Sequence, residues 1–304
     1  MKQDVNINIP LDVPYEAHEE FILNYKAITF GTNRTFIFSC DQKIEHLNND
    51  FYGNLIDGSA NDPEHLFKIA DQGRIGALAT QLGLINRYGQ NYPNINYIVK
   101  LNSKTNIVPT EIKDPLSELL WDIDDVIKVK NNAKLKIRGI GYTIYLGSEY
   151  EHIMLSQAAK LISKAHQAGL VTILWIYPRS KYIEDEKDGK LIAGAAGVAN
   201  CLGSDFVKVQ VPRKTLTESI YQQLKIASQA CGNTNLICAG GELKNINDFL
   251  TNIFDQINIG NTSGVAIGRN IFQRSQNEAI KLTKAISSIV YDLKDLNTAL
   301  REFE

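Results

Sequence analysis

Eight short apolar runs rich in β-formers recur along this chain between residues 36 and 270, and helical patterns separate them. The runs are FIFSC (36–40), IGALA (75–79), NYIVKL (96–101), IRGIGYT (137–143), VTILWIY (171–177), DFVKVQV (205–211), NLICA (235–239) and GVAIG (264–268). The clearest helical pattern lies at 149–169, where Met154, Leu155, Ala158, Leu161, Ile162 and Ala165 return with helical period and Gly169 closes the end. Segments 217–232 and 245–257 follow the same rule. Strands that alternate with helices pair in parallel through right-handed crossovers, and eight of them close into a barrel. The expected fold is therefore an α/β TIM (β/α)8 barrel forming a single domain over 1–304. An N-terminal extension of about 30 residues carries a helix near 15–25, and segment 276–296 forms the last barrel helix and a tail. An open doubly wound sheet competes, but no GxGxxG turn follows the first run. The connection 102–136 is long and charged.

Composition narrows the class of partner. Hydrophobic residues make up 44% and charged residues 22% of the 304 positions, an ordinary globular balance. A net charge of −2 argues against a nucleic-acid or anionic-membrane surface as the main partner. No apolar run approaches the roughly 18 residues of a membrane span. In MKQDVNINIPLDVPYEAHEEF two acidic residues, Asp4 and Asp12, come before any apolar run and speak against a secretory signal. Cys40, Cys201, Cys231 and Cys238 show no CxxC spacing, so buried, reduced thiols in a cytoplasmic protein are expected. No HExxH occurs among the five histidines, and no metal is expected.

In such a barrel the C-terminal strand ends face the active site, so the polar residues there carry the interest. In DFVKVQVP, Val207, Val209 and Val211 share one parity, while Phe206, Lys208 and Gln210 share the other. The valines suit the helix-covered outside, which points Lys208 inward. A buried ammonium there either pairs with a carboxylate or loses its proton and becomes a nucleophile. Trp175 and Tyr177 alternate to one face of the neighbouring run. Tyr177 is suited to proton transfer, or with Trp175 forms an aromatic wall at the mouth. Asp41 ends the first run in FSCDQKIEH, where it holds a substrate hydroxyl or caps the next element. Lys100 shares inward parity with Ile98 and Asn102, and is either a second cation at the site or the partner of Asp41.

The last two runs end in ICAGGE and AIGRN. Gly240, Gly241 and Gly268 let backbone N–H groups approach an anion, and Arg269 adds a donor fork, at the two loops where such barrels hold phosphate. Arg179 either reaches a second phosphate or lies on the surface. The charged stretch 180–190 reads as a lid or as a solvated loop. A flavin- or nucleotide-binding barrel also fits the glycine loops taken alone.

The pieces CDQKIEH (40–46), VKLNSKT (99–105), TIYLGSE (143–149), VTILWIYPR (171–179), DFVKVQ (205–210), CAGGE (238–242) and AIGRNIF (266–272) together resemble the archaeal-type class I fructose-bisphosphate aldolases, a family related to deoxyribose-phosphate aldolase. The resemblance spans roughly residues 36–275. It implies a Schiff base on Lys208, proton transfer by Tyr177, assistance from Asp41 at the substrate hydroxyls, and a pocket lined by Trp175. It further implies a phosphate held by Gly240, Gly241, Gly268 and Arg269, no cofactor, and a homo-oligomer. The implied reaction is reversible cleavage of fructose 1,6-bisphosphate to glycerone phosphate and glyceraldehyde 3-phosphate, in glycolysis and gluconeogenesis. Transaldol or thiolase-type transfer on another phosphorylated ketose is the alternative. The pattern departs at Lys43, where the family has glycine; a lysine there would crowd the mouth or contact a phosphate.

Overall fold

A computed structural model describes residues 7–304; the first six residues of the expected N-terminal extension lie outside the described residues. Eight parallel strands close into a barrel: β1 (Thr35–Ser39), β2 (Ala77–Gln81), β3 (Tyr97–Lys100), β4 (Ile137–Leu146), β5 (Val171–Pro178), β6 (Phe206–Val209), β7 (Asn235–Ala239) and β8 (Gly264–Ile267). Each strand pairs with its sequence neighbours, and β1 closes the ring on β8. The expected TIM barrel is the observed fold. Strand ends move by a few residues, and β4 runs three residues further than its apolar pattern, to Leu146.

Side-chain alternation divides the apolar residues into two groups. Ile37, Ala79, Ile98, Ile173, Phe206, Ile237 and Ala266 fill the barrel, while Phe38, Val99, Leu174, Val207, Val209 and Ile267 face the surrounding helices. The connection 102–136 contains a two-stranded ribbon, Asn102–Ser103 with Glu118–Leu119, and a helix, Ile123–Ala133, started by an Asp122 capping box. Gly169 takes the left-handed conformation (φ +66°) that ends the helix Glu151–Gln167. The expected final segment is two helices, Gln276–Val290 and Leu296–Phe303, separated where Leu293 adopts φ +56°. Among the cysteines, Cys201 departs from expectation: it ends the helix Gly189–Cys201 and is exposed, whereas the other three are buried. No helix of the described residues is long and apolar enough to cross a membrane.

The N-terminal helix, His18–Thr29, closes the bottom of the barrel. Phe21, Tyr25 and Ile28 join the interior cluster, and Tyr25 stacks on Phe206 with ring centroids 5.6 Å apart. Polar contacts fasten it to the strand starts. Asn24 Nδ2 donates to the Gly169 carbonyl at 2.8 Å, and Thr35 Oγ1 donates to the Ile28 carbonyl at 2.8 Å. What reads in sequence as an extension is a plug, because the barrel's lower opening would otherwise expose its aliphatic layer to water.

His166 forms the latch. Its ring is fully buried, with Nδ1 2.8 Å from Asp12 Oδ1 and Nε2 3.2 Å from Asp205 Oδ2. Burial opposes charge on the ring, but Asp205 and then Asp12 outweigh it and raise the pKa above 6.5. A raised native value means the stabilisation is fully present below the unfolded value and disappears as pH rises through the native one. We expect His166→Gln to lose about 1–2 kcal/mol below pH ~6.5. Denaturant titrations across pH should show the gap to the unsubstituted protein closing on the alkaline side.

Candidate active site

Strand pairing carries Lys208 directly beside Trp175 of β5 and Ile237 of β7. Its side chain is buried, yet among the described residues its amine has no hydrogen-bond acceptor and no carboxylate within ion-pair distance; its nearest recorded aromatic contact is Trp175, 5.6 Å from the ring centroid. Burial is the largest influence on Lys208 and pulls it below the ordinary 10.5. Asp41 and Glu45 pull the other way, and Arg269 adds to the lowering. A buried, unpaired lysine of lowered pKa supplies the neutral amine more readily than an exposed one.

Lys100, the other inward lysine, is occupied. Its Nζ donates to Thr143 Oγ1 at 2.6 Å, lies 3.6 Å from Asp41 Oδ2, and stands 4.1 Å from the Trp175 ring centroid. It is both a second cation and the partner of Asp41. Burial is again the main cause of its shift, down to about 8, with Asp41 opposing. Asp41 itself has its backbone held by Gln81, whose Nε2 donates to the Asp41 carbonyl at 2.9 Å. Asp41 stands at the N-cap of the helix Gln42–Glu45, but its side chain makes no capping bond to it. Gly141 of β4 gives the indole its space. A Cβ there would lie 2.5 Å from the Trp175 ring and 2.9 Å from Lys100 Cδ.

Above this layer Tyr177 pairs across the ladder with Tyr145 of β4, the rings stacked at 6.0 Å. Burial, then Glu45 and Asp41, push the Tyr177 phenol well above 10, so it stays protonated. Tyr145 donates its hydroxyl to Glu45 Oε1 at 2.6 Å. Arg179 lies over both rings, at 5.6 and 5.4 Å, and its guanidinium is held by Glu186. It is a largely buried cavity residue rather than a surface arginine.

Tyr177, Arg179, Asp41 and Lys208 open onto one cavity of about 770 Å³, whose other end is formed by Gly240, Gly241, Gly268 and Arg269. Trp175 and Lys100, each 1% exposed, support this cavity from beneath and do not line it. The glycines divide in role. The Gly240 amide is used inside the barrel, donating to the Ala266 carbonyl at 3.3 Å. Gly241 turns the chain at φ +71°, and Gly268 has room for no side chain, because a Cβ would lie 2.5 Å from the Ser39 carbonyl. Among the described residues the amides of Gly241 and Gly268 have no backbone hydrogen-bond acceptor, and both glycines line the cavity. Lys43 turns away from the cavity. Its Nζ donates to Asn48 Oδ1 at 2.7 Å and sits 4.3 Å from the Phe51 ring centroid, so it neither crowds the mouth nor points at the anion end.

A family model described as DeoC/LacD family aldolase matches residues 35–274, which is the barrel itself. The chain belongs to this aldolase family. It is 49% identical over 296 residues to a fructose-bisphosphate aldolase/6-deoxy-5-ketofructose 1-phosphate synthase of Methanocaldococcus jannaschii, covering 97% of this chain and 94% of that protein. Among solved structures it is similar to a fructose-bisphosphate aldolase from Slackia heliotrinireducens, at 53% identity and a TM-score of 0.96 over 98% of this chain and 94% of that one. A more distant archaeal fructose-1,6-bisphosphate aldolase, described with its catalytic lysine covalently bound to the carbinolamine intermediate, aligns at 25% identity and a TM-score of 0.75, over 89% of this chain and 99% of that one.

Several residues of the aldolase barrel escape sequence reading. Glu45 and Tyr145 sit inside recognisable pieces, but nothing in their spacing announces that the helix after β1 meets the end of β4. Asn270 is fully buried and ties the loop after β7. Its Nδ2 donates to the carbonyls of Gly240 and Glu242 at 3.2 and 2.6 Å, and its Oδ1 accepts the Lys244 amide at 2.9 Å. The signal available was its position immediately after the Gly268–Arg269 pair. Gly141 was legible as a small residue in a β-run, yet its purpose depends on the Trp175 ring. We expect Gly141→Ala to cost about 1–3 kcal/mol through overpacking, and to displace the indole. Thermal melts and the near-ultraviolet tryptophan spectrum measure the two effects.

Proposed function

We propose that this chain is a Schiff-base aldolase that cleaves fructose 1,6-bisphosphate to glycerone phosphate and glyceraldehyde 3-phosphate and also runs the condensation. The observation that carries the reading is the Lys208 amine: buried, with no carboxylate in ion-pair distance among the described residues, and set in a cavity with open backbone amides at one end and a protonated phenol above.

In this reading the ketone-side phosphate sits on the Gly241 and Gly268 amides with Arg269 beside them, and Gly240 shapes the loop. The neutral amine of Lys208 adds to the ketone carbon, and loss of water gives an iminium. Asp41 takes the proton of the hydroxyl on the carbon that will leave. The carbon–carbon bond then breaks, its electron pair moves toward the iminium nitrogen, and the aldehyde departs. Tyr177 protonates the enamine carbon, and water hydrolyses the imine to free Lys208. The iminium is the electron sink, so activity should survive EDTA. Trp175 and Lys100 hold Asp41 and the nucleophile in register. We place the enzyme in the cytoplasm as a homo-oligomer, which sedimentation of the purified protein checks.

A second reading, transfer of the same enamine to a different carbonyl acceptor, draws support from the far end of the cavity, where Arg179 is already paired with Glu186.

Borohydride reduction with substrate bound, followed by peptide mapping, should place the adduct on Lys208. An adduct on Lys100, or none, would overturn the assignment. Lys208→Met should lose on the order of 10⁴-fold or more in kcat, whereas Lys100→Met should keep the trappable amine and lose rate through Asp41. The acid limb of kcat/KM should also lie below the ordinary lysine value, because burial lowers Lys208 and the rate rises with the neutral amine as pH increases.

A further inference from the structure

β4 sends alternate side chains inward from the level of the lysines to the mouth, and each meets a different residue of the site. Gly141 admits the Trp175 ring, Thr143 accepts from Lys100, and Tyr145 stands against Tyr177. The strand runs past its apolar pattern to Leu146. That extension carries Tyr145 alongside Tyr177 and lets the Leu146 carbonyl accept the Arg179 amide at 2.9 Å. Tyr145 is 1% exposed and does not line the cavity, so it acts on a substrate only through another residue.

The Tyr145 ring is fixed from several sides. Its hydroxyl donates to Glu45 Oε1 at 2.6 Å, a charge-assisted bond. Burial, then Glu45, push this phenol well above 10, so the proton stays on Tyr145. Glu45 ends the four-residue helix that Asp41 begins, and its carbonyl accepts the Asn106 amide at 2.8 Å. The half-buried Lys104 lies 5.6 Å from the Tyr145 ring centroid and donates to Asn106 Oδ1. Arg179 covers both tyrosine rings, with Nη1 3.9 Å from Glu45 Oε1. It is braced by Glu186, whose Oε2 also accepts from Gln210 Nε2 at 3.3 Å. The stretch 180–190, read in sequence as a lid or a solvated loop, supplies that brace. Two cations, Lys104 and Arg179, thus balance two carboxylates, Glu45 and Glu186, around the stacked rings. The Tyr177 hydroxyl, by contrast, has no hydrogen-bond partner among the described residues, so its aim depends on what holds its ring.

We propose that Tyr145, anchored by Glu45, is a positioning residue that aims the Tyr177 hydroxyl at the enamine carbon. This inference rests on the aldolase reading above. The step concerned moves one proton: enamine and phenol become iminium and phenolate. Because Glu45 and Asp41 share one short helix, the anchor also sets the phenol against the carboxylate that handles the substrate hydroxyl. A bond that merely satisfied a buried phenol would stabilise the fold and leave this step alone.

Exchange of a carbon-bound hydroxymethyl proton of glycerone phosphate with solvent deuterium isolates the step, since it needs the Lys208 iminium and Tyr177 but no aldehyde. In full-length Tyr145→Phe, which keeps the ring and its stack, the exchange kcat should fall about fivefold or more. KM for glycerone phosphate, and single-turnover release of glyceraldehyde 3-phosphate from fructose 1,6-bisphosphate, should stay within about twofold. Glu45→Ala should also slow exchange, and the double variant should lose no more than the larger single loss, because the pair acts as one unit. Unchanged exchange in Tyr145→Phe, an equal loss in single-turnover release, a loss confined to KM, or additive losses in the double variant would each overturn the assignment. Loss of borohydride trapping on Lys208 in Tyr145→Phe would place the effect on the nucleophile and overturn it as well. Unsubstituted enzyme that neither exchanges the proton nor cleaves the bisphosphate would instead remove the aldolase reading, and this inference with it.

Discussion

A closed eight-stranded barrel must fill its own interior, and here one indole ring occupies the layer beneath the cavity. Trp175 occupies the layer above Ile173 and Phe206, and Gly141 gives up its side chain to admit it. The two inward lysines stand over that ring, at 4.1 and 5.6 Å, so the ring sets how far each ammonium lies from water and from other charges. Below it the interior is aliphatic and is sealed by the N-terminal helix; above it the barrel opens into the cavity. The active layer therefore sits on a dry, rigid floor.

That floor explains why two lysines of similar burial have different chemistry. An isolated ammonium is costly to bury, and each site meets the cost differently. Lys100 keeps its partners: a threonine hydroxyl, an aspartate and the ring face. Among the described residues Lys208 has no hydrogen-bond or ion-pair partner, only the more distant ring, and burial lowers its pKa. Sequence parity pointed both lysines into the barrel; hydrogen bonding separates them, because the Lys100 amine is engaged by Thr143 and Asp41 while Lys208 has no such partner among the described residues.

Charge also distinguishes the ends of the cavity. Backbone amides at Gly241 and Gly268 are fixed in place by Asn270 and by close approach of neighbouring strands, so the phosphate role proposed for them requires no reorganisation. The Arg179 end is built from long side chains carried by three separate loops, and its balance changes with a single carboxylate.

Alternation of β-rich runs with helical patterns was enough to determine eight parallel strands, the closed barrel, and the inward direction of Lys208, Trp175 and Tyr177, because side-chain parity along a strand is local geometry. The motif pieces were likewise enough to find the glycine end, since those loops follow adjacent strands. Tertiary structure alone decided the rest. The N-terminal segment became a plug, Lys43 turned onto Phe51 and Asn48 and away from the mouth, Cys201 remained exposed, and Glu186 settled on Arg179. The plug's partners lie far away in sequence, whereas those of Lys43 and Arg179 lie on the same connection at spacings that no strand or helix period announces. Short-range pattern can aim a side chain; it cannot say which charge will be waiting for it.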